Sequence, residues 1–477
     1  MRSGDQRVLH TNELKRSIGL FQAITYGVGL ILGAGIYVII GDVAAIAGNA
    51  MWISFILAAL IAIVTGFSYA ELSSIFPKSA AEYVYSKNAF DSNLIGSIAG
   101  CMIIFIAIVS AATVAIGFAQ YLTAMAFSQF SPILFAVLLM LVLSFINFYG
   151  ISESIRLNTA FTFIELAGLV LIVIAGIWLG SSGNTDYFEI PGNVDLYEIP
   201  SNVVIGILLS STGLIFFAYY GFENIVNISE ETKNPTRVIP MAVLISIIIT
   251  TVIYVVVAFA VTALVGWEEL SQSQAPLALV AERALGKNGD FILSVIALFA
   301  TSNTCLMMLI SGSRIIYGMS KSERKIGYDS LSPSSYTTSI FPRVLARVHG
   351  TRKTPWIAII VTMIIGIIVV ISSGGSISKV ANISVFGIFI VYALVNLSLI
   401  VLRLRKPNLK GDFVSPISTK GNFPVLAVIG LVTSIVILMQ FDFEVAISGL
   451  IILTMIVIFC LQLNRMHKKK NVSDKNP

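Results

Sequence analysis

Long apolar runs alternate with short polar connections along almost the whole chain. A membrane-crossing helix takes about 20 apolar residues, and twelve runs reach or approach that length. They cover residues 18–47, 51–76, 94–122, 131–149, 157–180 and 202–228, then 240–265, 290–318, 355–373, 381–402, 424–441 and 443–463. The pattern predicts an all-α polytopic membrane protein with twelve transmembrane helices. No connection is long enough for a separate folded domain. The longest, Ser320 to Thr354, is basic and is expected to carry a short surface helix around Pro342 to His349.

Two of the runs are interrupted. In span 1, glycines stand at 27, 29, 33 and 35, in the middle of the run. Each glycine in a helix costs about 1 kcal/mol relative to alanine. Backbone groups freed at that depth survive only where they line a cavity. A helix broken near Leu32-Gly33-Ala34-Gly35 is therefore expected, with straight helices packed through small residues as the alternative. Freed N–H groups at Ala34 and Gly35 would start the outer half-helix and suit an anion. Freed carbonyls near Leu30 and Ile31 would suit a cation. Five spans later, span 6 carries the polar, aromatic patch Phe217-Ala218-Tyr219-Tyr220-Gly221-Phe222-Glu223. Interruptions at corresponding places in two halves point to a transporter binding site. A molecule carrying both charges, such as an amino acid, would fit between them.

Composition agrees with the pattern. Of 477 residues, 56% are hydrophobic and 12% are charged, against about 25% charged in soluble domains. The net charge of +5 is not a nucleic-acid signal, because the basic residues lie in short loops. Cys101, Cys305 and Cys460 fall in apolar runs without metal-ligand spacing, so neither a disulfide framework nor a disulfide-linked partner subunit is implied. His10, His349 and His467 lie outside the spans, and no metal or cofactor is expected. With the N-terminus inside, nearly all of the 30 Lys and Arg fall in cytoplasmic segments. The exceptions are Arg283, Lys287 and Lys379, with Arg314 inside span 8 near its inner end. This bias places both termini in the cytoplasm and the acidic loop Ser181–Ser201 outside a cell membrane.

Several motifs resemble the amino acid–polyamine–organocation transporter superfamily. They are Gly-Ala-Gly-Ile-Tyr (33–37), Tyr-Ala-Glu-Leu (69–72) and Phe-Pro-Lys-Ser-Ala-Ala-Glu-Tyr-Val-Tyr (76–85). Gly-Phe-Glu (221–223) running into Glu-Glu-Thr-Lys-Asn-Pro-Thr-Arg-Val-Ile-Pro (230–240) is also similar, as are Gly-Ser-Arg-Ile-Ile-Tyr-Gly-Met (312–319) and Pro-Arg-Val-Leu-Ala-Arg-Val-His (342–349). The resemblance implies two inverted five-helix repeats (18–180 and 202–402) forming a core over 18–402. A cytoplasmic tail (1–17) would precede the core; a helix pair (424–463) and a basic tail (464–477) would follow it. It implies secondary transport of amino acids or related amines, driven by protons or by exchange. Two departures stand out. Ala80 and Ala81 replace the usual glycine pair. Glu165 in span 5 stands where many proton-coupled relatives carry lysine.

The expected substrate-binding residues are Ile31, Gly33, Ala34, Gly35, Phe217, Ala218 and Tyr220, with a side-chain pocket of Leu30, Phe217, Tyr220 and Phe222. Phe217 matches a gating aromatic of relatives. Ser302, Asn303 and Thr304 either face the site or bond carbonyls one turn back. Glu71 is expected at the inner interface, paired with a loop Lys or Arg. Glu223 is either a proton site or a static brace of the broken helix. Glu165 lies about eight residues inside span 5, or about 12 Å deep at 1.5 Å per residue, with no basic residue in its own span. A lone carboxylate at membrane depth is costly. Glu165 is therefore read as a protonation site coupled to transport, pointing at the carbonyls of the inner half of span 1; a permanently neutral Glu bonded to Ser302 or Thr304 is the alternative. Together these residues predict a transporter that leans to neutral amino acids and works by proton coupling or exchange. A polyamine or cationic amino acid exchanger is the runner-up within the same fold. A membrane-embedded enzyme lacks a catalytic constellation here, and a channel would need a continuous polar path.

Overall fold

The computed structural model describes residues 14, 16–125, 129–180, 185–192, 194–273, 276–321, 340–373, 377–419 and 423–473. Most of the N-tail, Ser181–Asn184 of the expected outer loop, and residues 322–339 of the basic loop lie outside them. The described residues fold almost wholly into helices. The first half of the chain forms α1 (Leu20–Ala47), α2 (Met51–Ile75), α3 (Ala81–Phe90), α4 (Asn93–Met125), α5 (Pro132–Tyr149) and α6 (Ile151–Leu179). The second half forms α7 (Ser201–Tyr219), α8 (Pro235–Gln272), α9 (Pro276–Leu285), α10 (Lys287–Ser320), α11 (Trp356–Ser372), α12 (Ile377–Arg405), α13 (Val425–Leu438) and α14 (Phe443–Ser473).

Ten candidate membrane spans are long and apolar enough to cross a bilayer, among the described residues. Two shorter apolar helices, α11 and α13, stand where spans 9 and 11 are expected. Proline marks the start of α5 and α8, where the missing N–H leaves no intrahelical bond unmade. The lipid-facing surface is apolar: Phe145 of α5, Ile177 and Trp178 of α6, Ile368 of α11 and Phe443 of α14 are all exposed. α14 is the most peripheral of the candidate spans. The surface helix expected around 342–349 is present as a short 3-10 turn, Arg343–Ala346.

α6 starts at Ile151, earlier than the expected Leu157. Glu165 is therefore roughly 20 Å along the helix axis, near its middle, and not about 12 Å from its entry. The polar residues Ser152, Glu153 and Arg156 hide this first turn from an apolar-run reading.

Both expected interruptions are present. Gly33 sits inside α1 with φ −6° and ψ −140°, outside helical geometry. α7 ends at Tyr219, and the chain turns through Gly221 at φ 133° into a 3-10 segment, Phe222–Glu231. That φ is open to glycine and strained for other residues. Backbone pairing joins the segment before α1 to the one before α8: Ser17 and Ile18 N–H donate to the Glu231 carbonyl at 2.9 and 3.1 Å, and Lys233 N–H donates to that of Ile18 at 2.8 Å.

Two ion pairs are buried. Arg314 of α10 meets Glu231 through two bonds, at 3.3 and 3.2 Å, and donates to Asn147 Oδ1 at 2.8 Å. Arg403 of α12 meets Glu71 of α2 through two more, at 2.8 and 2.5 Å. Glu71 is thus paired with an arginine as expected, but it is buried, and its partner comes from a helix end, not a loop.

Candidate functional site

The two interruptions meet. Where α1 breaks and α7 ends, a small cavity of about 10 Å³ is lined by Leu30, Ile31, Ala34, Gly35, Phe217, Tyr220 and Thr304, joined by Ser110 and Val114 of α4 and Met308 of α10. Seven of the residues expected from sequence to contact or line a site are among them. Gly33 and Ala218 stand immediately behind, in the walls. A Cβ on Gly33 would overlap the Thr304 hydroxyl, so only glycine lets that hydroxyl reach the Ala34 N–H, at 3.0 Å. Gly35 faces Ala218 so closely that a Cβ there would lie 2.6 Å from the Ala218 Cα. Its smallness serves the packing of α1 on α7.

The expected charge-holding groups carry internal partners. The Ala34 N–H is taken by Thr304. The Ile31 carbonyl accepts from the Tyr254 hydroxyl, which also reaches the Ala218 carbonyl at 3.0 Å. A carbonyl oxygen has two lone pairs, so both retain capacity for a second donor. Tyr254 of α8 escapes the sequence reading. The signal is there: a lone tyrosine in an apolar span needs a partner for its hydroxyl.

The three polar residues of α10 separate by role. Thr304 faces the cavity. Ser302 donates to the Leu298 carbonyl one turn back at 2.7 Å, the alternative left open above. Asn303 turns to α6, donating to Glu165 Oε1 at 3.0 Å and Thr162 Oγ1 at 3.3 Å. The partner of Glu165 is thus Asn303, and neither Ser302, Thr304 nor a carbonyl of α1. The carbonyl of Thr25 on α1 is served instead by Asn158 Nδ2 at 3.2 Å. Around this junction Glu165 Oε2, Asn158 Oδ1 and Asn303 Oδ1 are all buried without a donor.

Glu223 has three donors: Gly221 N–H at 3.0 Å, Asn224 Nδ2 at 2.6 Å and the Tyr392 hydroxyl at 2.7 Å. The set clasps the turn between α7 and the 3-10 segment. Phe222, expected in the side-chain pocket, lies outside the cavity lining and stacks on Tyr392 with ring centroids 5.4 Å apart. Of the two adjacent tyrosines, Tyr220 lines the cavity and Tyr219 donates to the Phe55 carbonyl at 3.2 Å.

Paired helix interruptions that meet at one cavity are a pointer to a binding site in membrane carriers. The family model of amino acid permeases matches residues 18–461. The chain belongs to the amino acid permease family. Among the relatives of this permease is a branched-chain amino acid permease of Bacillus subtilis, 26% identical over 96% of this chain and 95% of that protein. A methylthioribose transporter of the same organism is 27% identical over 85% of each chain. A human large neutral amino acids transporter small subunit is 27% identical, over 97% of this chain and 83% of its own. The permease is accordingly a multi-pass membrane transporter and not an enzyme.

Proposed function

We propose that this permease carries a neutral amino acid across the cell membrane by alternating access. Twelve spans, with ten in two inverted repeats and both termini in the cytoplasm, make up that reading. The observation that carries it is that the interruptions of α1 and α7 meet and line one small cavity. The α-carboxylate would lie at the start of the outer half of α1, near Ala34 and Gly35. The α-ammonium would share the carbonyls of Ile31 and Ala218 with Tyr254. Leu30, Val114, Phe217, Tyr220 and Met308 surround the remaining space with apolar and aromatic surface. No acidic side chain stands among the lining residues, which speaks against a polyamine or a cationic amino acid.

Glu165 is the coupling group in this reading. Three acceptor oxygens at this junction, its own Oε2 among them, lack a donor, and a proton on Glu165 Oε2 supplies one. The carboxyl holds that proton while water is excluded and yields it when the inner path opens.

Counterflow in proteoliposomes tests the substrate. Vesicles loaded with leucine are expected to accumulate labelled leucine, with competition from isoleucine and valine and none from arginine or putrescine. Competition by arginine or putrescine with none by valine overturns the neutral assignment.

A further inference from the structure

A second buried carboxyl group lies on the inner side of the site. Glu82 stands in the first turn of α3, fully buried, with neither carboxyl oxygen bonded to a donor. The Tyr69 hydroxyl of α2 and the Asn227 Nδ2 of the 3-10 segment face it, and these atoms, like the Tyr85 hydroxyl, make no other hydrogen bond. Donors and acceptors have been brought together here without being joined.

Among the described residues, no cation is among the groups that shift the Glu82 carboxyl. Arg314 is held by Glu231, Arg403 by Glu71 and Lys321 by Glu230. α4, which packs along α3, contains no charged residue. From α12 the facing titratable group is Tyr392, already bonded to Glu223. Within α3, Lys87 meets the Tyr83 hydroxyl. Glu223 adds a second negative charge nearby. Burial pushes the Glu82 carboxyl up to about 8, Glu223 pushes it the same way, and its own backbone, Asn227 and Tyr69 oppose.

Glu82 also sits beside a contact between α3 and the 3-10 segment. The start of α3 docks on the 3-10 segment: Ala81 N–H donates to Asn227 Oδ1 at 3.1 Å and Ser79 N–H to Glu230 Oε1 at 3.3 Å. The same segment pairs with Ile18 below α1. Moving it inward withdraws Asn227 and admits water to the carboxyl. On the other side, the Tyr69 ring lies edge-on to that of Tyr392, centroids 6.0 Å apart, and Tyr392 bonds Glu223. Two tyrosines thus separate Glu82 from the carboxylate at the break.

We propose that Glu82 is a proton site of the inner gate, neutral while the 3-10 segment is docked on α3 and ionised when that segment moves away. Opening transfers the carboxyl proton to water on the inner side, leaving a carboxylate and a hydronium ion; closure takes a proton back. The gating role rests on the alternating-access reading, while the titration of the side chain does not.

Infrared difference spectra of the full chain in lipid, stepped across pH 8, should show the C=O stretch of a protonated carboxyl disappearing, and Glu82→Gln should lack that change. The same change in wild type and Glu82→Gln overturns the assignment. If Glu82→Gln is not monodisperse, Glu223→Gln decides: retention of the titrating band supports Glu82, and its loss overturns the proposal. In proteoliposomes, Glu82→Gln should lower leucine uptake driven by a pH gradient by about tenfold, within the usual range of coupling energies, while keeping leucine exchange. An equal loss of both, or of neither, overturns the gating role. If wild type neither binds nor exchanges an amino acid, the transport reading fails and the infrared result still stands or falls alone.

Discussion

The Tyr254 hydroxyl donates to the carbonyl of Ile31, across 223 residues of chain, and in the same place to the carbonyl of Ala218. One side chain of α8 therefore ties the break in α1 to the end of α7. Tyr254→Phe leaves both carbonyls short of a donor, at about 1–3 kcal/mol for a buried group left unsatisfied. Its melting temperature without substrate should fall. An amino acid supplies ammonium N–H groups to the same carbonyls, so the stabilisation by saturating leucine should be larger in the mutant than in wild type. Thermal-shift curves with and without leucine measure both; an unchanged melting temperature counts against the bridge.

Thr304 fills the N–H of Ala34. Thr304→Val is close to isosteric and leaves that N–H unpaired, whereas Thr304→Ser keeps the oxygen. The valine variant is expected to lose about 1–3 kcal/mol and the serine variant much less. Equal melting temperatures for the two would show that the hydroxyl is not what stabilises the break.

The Arg314–Glu231 pair is fully buried. Removing one partner leaves an uncompensated charge at about 3–5 kcal/mol, whereas replacing both with apolar residues is often close to neutral. Arg314→Met alone should express poorly and elute as aggregate. Adding Glu231→Leu should recover monodisperse protein. Size-exclusion profiles of the two decide it.

Much of this was legible in the sequence because it depends on local composition. Glycine spacing marks the break at Gly33, and a polar aromatic patch inside an apolar run marks the turn at Gly221. Ala80 is the same kind of signal: alanine replaces the glycine suggested by resemblance and takes up a left-handed φ of 60°. The relationships that escaped are between helices far apart in sequence. Nothing near Tyr254 says that it faces Ile31, and nothing near Ser110 says that it lines the cavity. Glu165 finds Asn303 and not its neighbours Ser302 or Thr304, because successive helix positions face different ways, about 100° apart at 3.6 residues per turn.

Stability should depend on pH through Glu82. Its folded carboxyl is pushed up to about 8 from an ordinary 4.5, chiefly by burial. Between those values the folded chain holds a proton that the unfolded chain has given up. The stabilisation is therefore fully present below 4.5 and is lost as pH rises through 8. Glu82→Gln cannot titrate, so its melting temperature should fall less than that of wild type between these two pH values. A parallel fall in both proteins would place the slope elsewhere.

The coupling assignment rests on Glu165. Its Oε1 accepts from Asn303, while its Oε2, like Asn158 Oδ1 and Asn303 Oδ1, is buried without a donor. An ionised carboxylate there faces acceptors without donors. A protonated one turns Oε2 into a donor and completes the junction of α1, α6 and α10. Glu165→Gln keeps a donor in nearly the same shape but cannot release a proton. In proteoliposomes it should exchange leucine and lose accumulation driven by a pH gradient. Glu165→Ala removes the donor as well and should impair both. Undiminished pH-driven accumulation by Glu165→Gln takes this carboxyl out of the coupling mechanism. Glu223, whose three donors also clasp the turn, would then be the next candidate, beside Glu82.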